Sequence, residues 1–83
     1  VKDYIIRTTQ LDDATHEAIL DKLQQVGFHH YNWEALKQNK QGHIRIIIGD
    51  SPRQSFLQKY HRKSSWLRST PITVGEIFHL TSI

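Results

Sequence analysis

Short apolar runs with two different periods divide this chain. Tyr4-Ile5-Ile6-Arg7-Thr8-Thr9 is short and rich in β-branched and aromatic residues, which predicts a strand. Thr9-Gln10-Leu11-Asp12 has the form of a helix start, and Asp12, Asp13 and Glu17 crowd the turns where the helix dipole favours negative charge. Ile19, Leu20, Leu23 and Val26 follow at helical spacing, with Gly27 placed to stop the helix in the left-handed conformation. Phe28 to Leu36 is aromatic-rich and reads as a second strand with Tyr31 and Trp33 on one side. The alternation in His43-Ile44-Arg45-Ile46-Ile47-Ile48 marks the clearest strand. Asp50-Ser51-Pro52 resembles a capped helix entry. Phe56, Leu57, Tyr60 and Leu67 would give that second helix its apolar stripe. Ile72 to Leu80 reads as a last strand interrupted at Gly75.

The expected order is therefore β-α-β-β-α-β. That order predicts an α+β fold of the ferredoxin-like plan, a four-stranded antiparallel sheet with both helices on one face. The 83 residues suffice for a single domain over residues 1–83. With no Cys, disulfides and thiolate zinc sites are excluded. The absence of apolar runs near 20 residues argues against a membrane partner, and a cytoplasmic location is expected. No cofactor is expected. The six His show no H-E-x-x-H or comparable spacing, so no metal site is expected either.

Charge changes this picture. Residues 1–36 carry three cations and six acids, net −3; residues 37–83 carry eight cations and two acids, net +6. Between Ser51 and Gly75 there are five cations and no acid, which favours a polyanionic partner. In the expected fold Arg7 and Arg45 face outward from the sheet, with Trp33 beside them. Arg53, Lys59, Arg62, Lys63 and Arg68 lie on or near the second helix. Cations interleaved with rings suit RNA or single-stranded DNA, because bases stack while cations follow phosphates. The sequence thus points first to a small non-catalytic nucleic-acid-binding or regulatory domain. The same cations also suit the solvated side of an ordinary amphipathic helix.

Two other readings remain open. The acids Asp12, Asp13, Glu17 and Asp21 on the first helix, with an edge strand, suit a protein partner for an inhibitor or antitoxin-type module. His61 beside Arg62 and Lys63 could pair a proton carrier with phosphate clamps, as a small ribonuclease requires. A homodimer through the open sheet face is compatible with each reading.

Overall fold

A computed structural model describes residues 1–40, 42–59 and 63–82, with the side chains of Lys63 and Ser64 left aside. Strand β1 (Lys2–Arg7) runs through a short 3₁₀ turn, Thr8–Gln10, into helix α1 (Asp13–Gln25). The short helix α2 (Trp33–Gln38) precedes β2 (His43–Ile48). Then come β3 (Phe56–Lys59), the two-residue β4 (Thr70–Pro71) and helix α3 (Val74–Phe78).

The sheet order is β3-β2-β1-β4, antiparallel at β3–β2 and β2–β1 and parallel at β1–β4. The fold is therefore α+β with a mixed sheet and three α-helices among the described residues, not the antiparallel ferredoxin-like arrangement. Three segments cause the difference. Phe28–Leu36 contributes a single parallel bridge, His29 to Phe56, before turning into α2. The expected second helix is β3 flanked by 3₁₀ turns at Pro52–Gln54 and Lys63–Trp66. The expected last strand is β4 followed by α3, whose start is fixed by a capping box between Thr73 and Glu76.

Local chemistry accounts for each turn. Asn32 caps α2 by accepting a hydrogen bond at Oδ1 from the Ala35 N–H, at 3.0 Å. Gly27, with φ 99°, takes the left-handed conformation after α1, as expected from its place. Pro52 starts a helical turn, but only one. Gly49 N–H donates to the buried Ser55 hydroxyl at 3.0 Å, and this turn feeds the chain directly into β3.

The alternation expected in β1 and β2 holds. Ile6, Ile44, Ile46 and Leu57 face α1, where Ile19, Leu20 and Leu23 meet them; Leu36 of α2 and Ile77 of α3 complete the same core. The pairs Ile6–Ile44 and Ile46–Leu57 lie opposite one another in register, so one face of the sheet is continuous with the helical layer.

Candidate nucleic-acid interface

On the opposite face the register sets Ile5 beside Arg45 and Arg45 beside Gln58. Arg45 points outward there, as its parity requires, but its charge is engaged. Its Nε donates to both Asp3 carboxylate oxygens at 3.0 Å, its Nη2 approaches Oδ2 at 2.5 Å, and its Nη1 donates to Gln58 Oε1 at 3.1 Å. Ser69 Oγ donates to Asp3 at 2.9 Å. The guanidinium holds the Asp3 carboxyl below the usual carboxylate range, and Asp3 in turn raises Arg45. Ile5 and Trp66 are buried outside the main core. This face is a latch tying β1, β2, β3 and the approach to β4, and it offers phosphate little of Arg45.

The other expected cations do not share one surface. Arg7 lies at the end of β1 opposite His43, exposed, with Nε donating to Thr9 Oγ1 at 2.9 Å. Lys59 ends β3 opposite Ile44, at the same end of the sheet as Arg7. Arg53 sits in the turn between β2 and β3, at the other end, on the order of 15 Å away along the strands. Arg68 precedes β4, across the sheet from Lys59. Arg62 and His61 lie outside the described residues. Lys63 begins a 3₁₀ turn rather than extending a basic helix.

The rings, by contrast, come together. Trp33 stands not on the sheet face but in the first turn of α2, where it packs against the main core. His30 stacks on Tyr31 with ring centres 4.7 Å apart and planes at 26°, and lies 5.8 Å from Trp33. Tyr31 is 91% exposed, so the ring face turned from His30 is open to solvent. Because His29 bridges Phe56 in parallel, this loop runs alongside β3 toward Lys59. Burial, the largest influence, holds His30 below the ordinary imidazole pKa; the Asn32 backbone opposes this, and the Lys59 charge adds to it. Lys59 also lines, with Ala35, Gln38, Asn39 and Lys40, an open depression of about 640 Å³.

The acidic positions on α1 are partly consumed within the molecule. Asp13 pairs with Lys40, and Asp21 pairs with Lys37 at 2.7 Å. Asp12, at the N-cap, is held low by the Thr15 hydroxyl and stays exposed, as does Glu17. Sequence reasoning missed His30, Tyr31 and Lys40 as a group. The signal available was Asn32 followed by Trp-Glu-Ala-Leu-Lys, a capped helix start that bunches the preceding rings instead of spreading them along a strand.

Among the described residues, no group of three or more His, Asp or Glu side chains could hold a metal ion. No helix among them is long and apolar enough to cross a membrane. Comparison with known proteins brings no kinship to bear on this site: no family model, curated protein or solved structure matches the chain.

Proposed function

We propose that this chain is a non-catalytic module that binds single-stranded RNA or DNA at the His30–Tyr31–Trp33 stack. Bases would stack on Tyr31, and phosphates would lie along the depression between Lys59 and Lys40. The observation that carries this reading is the Tyr31 ring, almost wholly exposed yet stacked on His30, on which the charge of Lys59 acts. An exposed aromatic fixed in orientation loses little entropy when a base stacks on it.

A protein partner recognised by α1 is the weaker reading. Two of the four acids proposed for it already pair with Lys37 and Lys40. The sheet edges also suit strand addition poorly. β4 spans two residues, one of them Pro71, and the outer side of β3 already receives the bridge from His29.

Fluorescence anisotropy of labelled oligouridylate and oligothymidylate tests the proposal. Tyr31→Ala should weaken binding roughly 5- to 150-fold, the loss of about 1–3 kcal/mol of stacking. Equal affinity of Tyr31→Ala and the unmodified protein, or no binding at low salt, would overturn it.

A further inference from the structure

The Asn32 backbone N–H donates to Nδ1 of His30 at 3.1 Å. An imidazole nitrogen accepts a hydrogen bond only while it carries no proton, so the ring proton sits on Nε2. That Nε2 is enclosed and has no hydrogen-bond partner among the described residues. Asn32 has a second task, since its side chain caps α2 at Ala35. Tyr31 lies between the two and stacks on the His30 ring. One residue pair thus fixes the loop, the exposed ring and the first turn of α2 together.

We propose that protonation of His30 switches the stacking platform off. A second proton on the ring must go to Nδ1, where it faces the Asn32 N–H, donor against donor. The loop hydrogen bond is lost, Tyr31 leaves the imidazole, and the cap of α2 loosens. The charged group acting on the ring from another element is Lys59 of β3, and its charge opposes protonation. Tyr31 from its own loop and Trp33 from α2 are the rings packed against it. The platform is therefore assembled at neutral pH, and the switch lies on the acid side of the ordinary imidazole range.

This regulation rests on the nucleic-acid reading of the site, and its sign makes it separable from bulk electrostatics. A lower pH makes a protein's net charge more positive, which alone would tighten binding to phosphate. Release of Tyr31 weakens it.

The test has two arms. In the ligand-free protein, NMR from about pH 7.5 to about 4.5 follows the His30 ring and the amides of Asn32 and Ala35. All three should move with one midpoint below 6.5, the ordinary value. In His30→Asn, whose carbonyl still accepts from Asn32 but takes no proton, the Asn32 and Ala35 amides should stay put. Oligouridylate, whose base does not titrate in this range, should bind the unmodified protein at least about fivefold more weakly below that midpoint. An Asn32 amide that ignores the His30 titration, or moves equally in His30→Asn, overturns the switch. So does binding that holds or tightens in acid. Absence of binding at every pH overturns the nucleic-acid reading, and the NMR arm still decides the switch.

Discussion

Replacing His16 with Leu should remove about one proton's worth of acid sensitivity from folding. His16 lies on the buried stripe of α1 with Ile19, Leu20 and Leu23, and is 1% exposed. Its Nε2 has no hydrogen-bond partner among the described residues. Burial lowers its pKa from 6.5, so the folded ring stays neutral where the unfolded ring begins to protonate. Below 6.5 the unfolded chain therefore binds the extra proton, and stability falls as pH falls. The slope is at most about 1.4 kcal/mol per pH unit, and it ends where the folded ring itself titrates. Above 6.5 the contribution is complete and flat. His30 acts in the same direction, but it is less buried and remains in both proteins. Asp3, lowered from 3.8, also costs stability as pH falls, but only in a more acid window.

Urea unfolding of both proteins at several pH values between about 7.5 and 5 isolates the His16 part. The difference in unfolding free energy, native minus Leu variant, should be constant above 6.5 and decline below it. At neutral pH the variant should be as stable or more so, since an unpartnered polar atom is replaced by an apolar group of similar size. Parallel stability curves for the two proteins across the whole range would refute the reasoning.

Two further substitutions probe the frame that holds the site. Asp3→Asn should destabilise by about 1–2 kcal/mol, because Arg45 loses its charged bidentate partner and is left with one neutral amide oxygen there besides Gln58; thermal unfolding at neutral pH reads this, and an unchanged midpoint would contradict it. Gly49→Ala should cost about 1–3 kcal/mol, since a Cβ there would press on the Gln54 side chain and meet its backbone at 2.8 and 2.9 Å; a variant as stable as the parent in urea would show that the turn can yield.

What the residues disclosed in advance was set by how local the deciding forces are. The stripe of α1, the stop at Gly27 and the parity of β2 each depend on residues a few positions apart, and these expectations agree with the structure. α1 begins later than expected, at Asp13, because Thr8–Gln10 forms its own 3₁₀ turn. The sheet order depended on three short segments in which local signals compete. Asn32 and Thr73 carry capping chemistry that outweighs the β-rich residues around them, and so the aromatic segment and the Ile72–Leu80 segment yield helices α2 and α3. At Pro52 the competition ran the other way. The Pro makes one helical turn, after which the alternation of Phe56, Leu57 and Gln58 pairs with β2. The site moved for the same reason: Tyr31 and His30 meet because α2 turns the chain, a contact that strand alternation forbids.

The three ion pairs found among the described residues revise what the charge asymmetry means for binding. Asp3–Arg45, Asp13–Lys40 and Asp21–Lys37 each join an acid from the first 36 residues to a cation from the remainder. Much of the split between −3 and +6 is thus an internal pairing, not an outward field. Beside the stacked rings, Lys59 is a cation in no ion pair among the described residues, and Lys40 shares its charge with Asp13. A strand bound there would displace counterions for about one or two phosphates. On single-stranded nucleic acid that gives a logarithmic salt slope near −1, where a binder using all eight basic residues of the second half would reach about −5.6. Affinity should therefore fall gently with salt and steeply with loss of the Tyr31 ring. A slope of about −4 or steeper in a salt titration would place binding on Arg53, Arg68 and their neighbours, away from the stack.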